Sequence, residues 1–542
     1  MAAHALQEQR GEGQEHQREN FPQLGFDALP LEVRLQCLAN CDWQTLARAS
    51  CVNLSTRALV DYLVRTPYWR TYSEEQPAVL CTDFATPEER QAACSKWAGG
   101  LTATLCGHGK PDICFVFVSS RSHANLPVML RELRANLAKC TLLAGVVAPG
   151  VLGRDTERGS IKEVDSVERV GLVVSVLHLP PGSSLHAALI NDGLTPNYSN
   201  PDWQPPEGEL PHGPAKHTRT WLVLSDRHAH VDGVLQELGR RYPGEAICGG
   251  MGGGTDGTSS LLVGLPGRTA EQKLHAERFM VSQVSANVDL SPVGRVTLVQ
   301  QLQNSISLAT GADNLTWVPV GGSFTPTSAL VAALQAQGAN VAPRAPLFFG
   351  VRSPGVSQGE DDPCKMVMLQ MHDPNNLMRT SGYVSVQHPV ERGMIAAFYT
   401  PQPSLSRLQL QARLTARAEQ VRSRDYSEEV KTDAGYLGSV SSDSIHMVLD
   451  VKPAPVYGCL LFPCVAKGQR YYDEADVETQ MVQSNFPGAA MCGFFCNGEI
   501  GPSPPDELAP GEAQEARMMG YSTVVCMLKL SPAPPPPADW AR

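Results

Sequence analysis

The chain lacks a basic excess, a long apolar run and any Cys-x-x-Cys pair, and each absence removes a class of function. Its 44 Lys and Arg stand against 55 Asp and Glu, a formal net charge of −11. Non-specific binding to nucleic acid or to an anionic membrane needs a basic face, so neither partner is expected. No apolar run approaches the ~20 residues that cross a bilayer. The longest candidates, Leu142 to Leu152 and Gly458 to Ala466, are broken by Pro and Gly and read as core strands. The first 20 residues hold four Gln, four Glu and two Arg with no apolar stretch, unlike a secretory signal or an acid-poor transit peptide. The expected location is therefore intracellular, cytoplasmic and/or nuclear. The 15 Cys are scattered, several of them in apolar strands (Cys114, Cys459, Cys526), and read as reduced, mostly buried thiols rather than a zinc site or a disulfide framework.

Patterns for catalysis are also missing. No Gly-x-Ser-x-Gly elbow, P-loop or His-Glu-x-x-His stands out, and the 14 His are dispersed. His228 and His230 lie just past a strand, where a spacing of two does not make a metal site. We expect no catalytic residue, no cofactor and no metal; a cryptic hydrolase stays open, because triads assemble from distant residues.

What is present is enough chain for several domains: 542 residues with 42% hydrophobic, against a prior of roughly 100–200 residues per domain. The expected class is α/β, with a small all-helical module ahead of a large body in two halves with mixed sheets. Residues 1–21 are polar and expected to be disordered. Residues 22–72 have helical periodicity. Pro30 can open a helix in which Leu31, Leu35 and Leu38 recur, and Asp42 can cap a second helix carrying Trp43, Leu46, Ala47 and Ser50. Leu54, Ala58, Leu59 and Tyr62 continue the period. Such a module is small for a core of its own and wants a partner surface. Residues 73–100 read as a linker containing a short helix from Pro87 to Trp97.

Residues 101–290 and 291–530 read as two similar α/β halves. In the first, strands are expected at Ile113–Val118, Thr141–Val147, Arg169–Leu177, Trp221–Leu224, Ala246–Cys248 and Leu261–Val263, with helices at Pro127–Lys139 and His230–Tyr242. The stretch Pro180–Pro214 is expected as a loop, and Arg268–Val288 as a bridging helix. In the second, strands are expected at Val296–Val299, Leu347–Val351, Met366–Met371, Met394–Phe398, His446–Val451, Tyr457–Phe462, Ala489–Phe495 and Thr523–Lys529. Helices fit Thr327–Gln337, Ser404–Arg424 and Asp473–Gln483, and loops fit Pro354–Cys364 and Ser423–Asp443. Residues 531–542 are a Pro-rich tail.

The glycines at 252, 254 and 257 formally satisfy G-x-G-x-x-G, but Thr258 to Val263 reads as a strand where a dinucleotide site needs a helix, so a Rossmann site is rejected. The segment Gly493-Phe494-Phe495-Cys496-Asn497-Gly498-Glu499-Ile500-Gly501 is more informative. A buried strand stops at two residues that tolerate positive φ and then delivers one carboxylate. Some thirty residues earlier, Phe462-Pro463-Cys464-Val465-Ala466-Lys467-Gly468 is a second strand end. Side by side, the two would bring Cys464, Lys467, Asn497 and Glu499 to one cleft. The plainer alternative is a tight turn with a solvated Glu499.

Two resemblances follow from these residues. Leu29-Pro30-Leu31-Glu32-Val33, Leu46 to Val52 and Tyr68-Trp69-Arg70 resemble an F-box, the motif by which substrate receptors dock on the Skp-type adaptor of cullin-based ubiquitin ligases. The chain departs from it at Asn53-Leu54-Ser55, where that family more often has a basic residue and an aromatic. The pairing of Phe462–Gly468 with Gly493–Gly501, together with Leu143–Gly150, Ile247-Cys248-Gly249-Gly250 and Tyr383–Tyr399, resembles the FIST domain across roughly 101–530. Lys467 stands where that family commonly has Arg, and Lys cannot hold a carboxylate bidentately. The resemblances imply a substrate-recognition subunit of an SCF-type ligase, docking the adaptor through Leu29, Pro30, Val33, Leu46 and Val52. They further imply recruitment of a client protein for ubiquitination and proteasomal degradation, with Gly249, Gly250, Cys464, Lys467, Asn497 and Glu499 as the ligand- or client-binding residues. Bacterial FIST domains are regarded as sensory modules for small ligands such as amino acids, so the alternative is an intracellular small-ligand sensor acting in signal transduction.

Overall fold

The computed structural model describes residues 33–34, 37–38, 41, 43–52, 54–106, 109–119, 124–165, 169–180, 183–189, 219–225, 231–252, 403–436, 456–502, 515–519 and 522–530, and isolated strands between 261 and 401. The chain divides between Val64 and Arg65 into two compact units. In the first, the helices Trp43–Ala49 and Leu54–Arg65 enclose a small core of Leu38, Leu46, Leu59, Val60 and Leu63.

The second unit is built on mixed sheets, with strands numbered in chain order. One sheet runs β1 (Tyr68–Glu75), β6 (Gly171–His178), β2 (Ile113–Ser119), β3 (Leu142–Ala148), β10 (Leu261–Gly264), β11 (His275–Ala276). Another runs β23 (Ala516–Met519), β22 (Glu499–Pro502), β9 (Ala246–Met251), β8 (Arg219–Ser225), β12 (Phe279–Ser285), β7 (Ser184–Leu189). A third runs β13 (Val288–Pro292), β24 (Thr523–Leu530), β20 (Val456–Pro463), β21 (Ala490–Phe495), β4 (Gly150–Arg154), β5 (Ile161–Val164). The fourth runs β16 (Leu315–Trp317), β15 (Ile306–Thr310), β19 (Ile395–Pro401), β17 (Phe348–Arg352), β18 (Lys365–Met368), with β14 (Val299–Gln301) also pairing β19.

The two-residue period of a strand divides the side chains between two environments. Phe115 and Phe117 of the first sheet, Leu222 and Leu224 of the second, and Phe462 and Phe494 of the third enter one shared apolar core. The alternate residues face helices. Pro87–Leu105 and Leu126–Asn136 cover the first sheet, Val231–Arg241 the second, and Pro403–Tyr436 with Val477–Asn485 the third. Burial on both faces explains why these strands are near-continuous apolar runs.

Three parallel pairs, β2 with β3, β8 with β9 and β20 with β21, repeat one device. Each has helix in its crossover, and each places a glycine opposite the first strand: Gly145 against Val116, Gly249 against Val223, Gly493 against Leu461. A Cβ on these glycines would fall 1.8, 1.8 and 1.9 Å from the facing carbonyl oxygen. No other residue fits, which accounts for Leu143-Ala144-Gly145, Ile247-Cys248-Gly249 and Met491-Cys492-Gly493.

Several expectations are corrected. Tyr68-Trp69-Arg70, part of the F-box resemblance, forms the start of β1 and pairs with β6, so the helical module ends near residue 64 rather than 72. Residues 73–100 are not a linker: they complete β1 and hold the helix Ala78–Cys81 and most of the 19-residue helix Pro87–Leu105. That helix starts where Thr86 accepts a hydrogen bond from Glu89 N (3.2 Å) with Pro87 in its first turn. The halves 101–290 and 291–530 do not build separate sheets: β4 and β5 join the later strands in the third sheet, and β22 and β23 join β9 in the second. Within Arg268–Val288 lie β11 and β12 instead of a helix, Pro180–Pro214 contains β7, and the helix Pro403–Tyr436 runs into the expected loop Ser423–Asp443. The expected helix Asp473–Gln483 is present but shifted, running over Val477–Asn485 and preceded by a four-residue helix, Gln469–Tyr472. The segments 1–21, Thr327–Gln337, Pro354–Cys364, His446–Val451, 531–542 and the pair His228 and His230 lie outside the described residues.

The expectation that the cysteines are all reduced also fails at one place. Cys248 of β9 and Cys526 of β24 form a disulfide. Both positions alternate into the shared core, a meeting that 278 residues of separation conceal in the sequence.

Trp69 fixes β1 to the body. Its indole Nε1 donates to Ser175 Oγ (2.7 Å), and a Cβ at Gly458 would lie 1.9 Å from its ring. Gly458→Ala is therefore expected to destabilise the protein by about 1–3 kcal/mol through overpacking, measured by urea unfolding; a neutral result would show that the Trp69 ring is not seated on β20.

Candidate functional site

The two strand ends singled out from the sequence are neighbours. β20 and β21 run in parallel, and the pairing continues past them through an isolated backbone β-bridge between residues Cys464 and Cys496, whose sulfurs are not disulfide-bonded. Cys496 N donates to Pro463 O (2.7 Å), and Val465 N to Cys496 O (2.8 Å). β9 arrives from the other side. Gly250 pairs with Glu499 and Gly249 with Ile500, while Asn497 N donates to Met251 O and Met251 N to Gly498 O, both at 2.9 Å. A Cβ on Gly250 would lie 2.2 Å from Cys496 Sγ, so only glycine admits this approach. All six expected ligand- or client-binding residues thus belong to one locality.

They do not form an open, solvated turn. Glu499 and Lys467 are buried, and Asn497 is half-buried. Glu499 Oε2 accepts from Ser522 Oγ (2.7 Å) and Ser522 N (3.1 Å). Its Oε1 makes no conventional hydrogen bond, with the Cys464 thiol in reach as a weak donor. Lys467 Nζ donates to Thr523 Oγ1 (2.9 Å) and stands 3.4 Å from Glu478 Oε1. Glu478 Oε1 also accepts from Tyr472 OH (2.7 Å), and its Oε2 from Thr523 Oγ1 (2.9 Å). Further along, Glu163 Oε1 of β5 accepts from Thr479 N (2.9 Å) and Thr479 Oγ1 (2.7 Å).

Glu163, Glu478, Thr479, Tyr472, Ser522 and Thr523 carry no motif in the sequence. Glu163 meets Thr479 across 316 residues, a contact that no local pattern reports. Ser522 and Thr523 do have one signal: they stand where the apolar run of β24 begins.

The carboxyls respond to their surroundings. Burial pushes Glu499 up to about 8, opposed by the Ser522 hydroxyl and amide, the Lys467 charge and the Cys464 thiol. Burial likewise pushes Glu163 up to about 8, opposed by the Thr479 amide and hydroxyl and reinforced by Glu478 and Asp476. Chemically the locality is a sealed polar network able to hold protons near neutrality. Among the described residues, no group of His, Cys, Asp and Glu is arranged to hold a metal ion, and no helix is long and apolar enough to cross a membrane.

In the helical unit, Val33 (41%) and Val52 (72%) are exposed, whereas Leu46 (1%) is sealed in the module's own core. Leu46 therefore supports the module from within instead of offering itself to an adaptor, because it packs in one core with Leu59 and Leu63. Leu29 and Pro30 lie outside the described residues.

Fold and locality together define a mixed α/β body with a buried acid and lysine network at the ends of parallel strands. Residues 346–502 match the family model of the FIST C domain, so the chain contains a FIST-type domain, a type associated with sensing. The matched span includes Cys464, Lys467, Glu478, Asn497 and Glu499; Gly249, Gly250, Glu163, Ser522 and Thr523 reach the network from outside it. No curated protein matches the chain.

The raised carboxyls set a pH dependence. Between their ordinary value of 4.5 and about 8, the folded chain keeps protons on Glu163 and Glu499 that the unfolded chain has released. Their contribution to stability is full at pH below 4.5 and is lost as pH rises through about 8. Glu499→Gln, which preserves the acceptor for Ser522, is expected to flatten the fall in stability between pH 5 and 8 by up to about 1.4 kcal/mol per pH unit. Unfolding curves across that range check it, and an unchanged slope would sink it.

Proposed function

We propose that this chain is the substrate-recognition subunit of an SCF-type cullin E3 ubiquitin ligase. Its F-box-like helical unit would dock the Skp-type adaptor, and its FIST-type body would recruit a client protein for ubiquitination and proteasomal degradation, in the cytoplasm and/or the nucleus. The supporting observation is the pairing of a FIST C domain at 346–502 with a separate helical unit that leaves Val33 and Val52 exposed. In this reading the chain is not itself an enzyme. It raises the effective concentration of client lysines near the charged conjugating enzyme, so that proximity does the work of catalysis.

Val52→Glu in the full chain tests the docking. Because Val52 is solvent-exposed, the substitution is expected to leave folding intact while lowering adaptor co-purification at least tenfold. Full retention of the adaptor would count against docking through this surface.

A second reading is supported by the match of residues 346–502 to the FIST C domain, a type associated with sensing. Here the FIST-type body is an intracellular sensor for an amine-bearing, amino-acid-like ligand. Thermal-shift screening with amino acids distinguishes the readings, since a ligand that binds only the folded state raises its melting temperature.

A further inference from the structure

We propose that the Cys248–Cys526 disulfide is a redox clamp on the buried acid network, closed when oxidised and loosened by thiol reductants. This inference concerns the network alone and holds whether or not the chain serves a ligase.

The bond joins strands that no ladder connects. β9 lies in the sheet with β22, and β24 in the sheet with β20 and β21. Each cysteine sits beside one half of the network. Cys248 is two residues from Gly250, the partner of Glu499. Cys526 follows Ser522, which donates to Glu499, and Thr523, which joins Lys467 to Glu478. The covalent tie therefore holds the strand on one side of Glu499 against the strand that supplies its hydrogen-bond donors. Among the described residues twelve cysteines are free, and two of them, Cys492 and Cys496, share the core cluster of the bonded pair. Among the described residues, the bonded pair is thus the one that bridges the sheets.

Reduction has a definite mechanical consequence. Bonded sulfurs lie ~2 Å apart, whereas two thiols settle at van der Waals distance, ~3.5–4 Å. Cys248 and Cys526 are both buried in close-packed surroundings, so the added separation has to be taken up by moving β9 relative to β24. The reductant is a thiol of the small-thiol or dithiol-oxidoreductase class. Its thiolate attacks one cysteine sulfur, the other cysteine leaves as a thiolate and takes a proton, and a second reductant thiolate resolves the mixed disulfide. The protein ends with two thiols and the reductant with one disulfide. Because both sulfurs are buried, exchange requires local opening and is slow.

Purified full-length chain, alkylated at lysis, is digested without reductant and searched by mass spectrometry for the Cys248–Cys526 cross-linked peptide, which is expected. Hydrogen exchange is then followed with and without prolonged dithiothreitol. Exchange is expected to rise several-fold over Ala246–Met251, Glu499–Pro502 and Thr523–Leu530, with Ile113–Ser119 unchanged. The Cys248→Ser/Cys526→Ser double variant should show the loosened pattern without reductant and no response to it; if it does not fold, the wild-type comparison decides. Absence of the cross-linked peptide, no change on reduction, or an equal rise across all strands overturns the proposal, the last by making the bond a global staple.

Discussion

The apolar layer where three sheets meet constrains everything else in the body. A polar group inside it has no water to turn to, and leaving it unpaired costs on the order of 1–3 kcal/mol, more for a charge. Many of the buried polar side chains of the body, among the described residues, accordingly have an internal partner: Trp69 with Ser175, Lys467 with Thr523 and Glu478, Glu163 with Thr479. Glu499 meets the requirement on one oxygen only. Burial nevertheless holds the protons of Glu499 and Glu163 alike to higher pH.

The same layer explains the topology. Three parallel β–helix–β units each bury both strand faces, one against a helix and one in the shared core. Close passage of the second strand requires a glycine opposite the first, and the chain supplies Gly145, Gly249 and Gly493. The units are not stacked in sequence order. β4 and β5 complete the sheet of β20 and β21, while β22 completes that of β9. A FIST C span that ends at residue 502 therefore depends on strands contributed from far outside it.

Much of this was legible beforehand for a simple reason. Strands buried on both faces are continuous apolar runs, so Ile113–Ser119, Leu142–Ala148, Ala490–Phe495 and Thr523–Leu530 could be placed within a residue or two. The run from Gly493 to Gly501 was legible because an apolar strand breaking at Asn497-Gly498 is a chemical discontinuity. β1 was hidden, because its residues alternate in burial and include Arg70, Thr71, Ser73, Glu74 and Glu75, which resemble a linker. The helix after it was read too short, since glycines at 99 and 100 suggest an end that packing against Leu126–Asn136 overrides.

By itself, the sequence determined the α/β class, the helices Trp43–Ala49 and Leu54–Arg65, and the neighbourhood of Cys464, Lys467, Asn497 and Glu499, because these follow from local periodicity and turn chemistry. Only the tertiary structure decided that Glu499 is sealed from solvent, that Leu46 faces inward, that Glu163 and Glu478 enter the network, and that Cys248 bonds Cys526. Each of these depends on which distant segments share a core, and pairings separated by hundreds of residues leave no periodic trace in the chain.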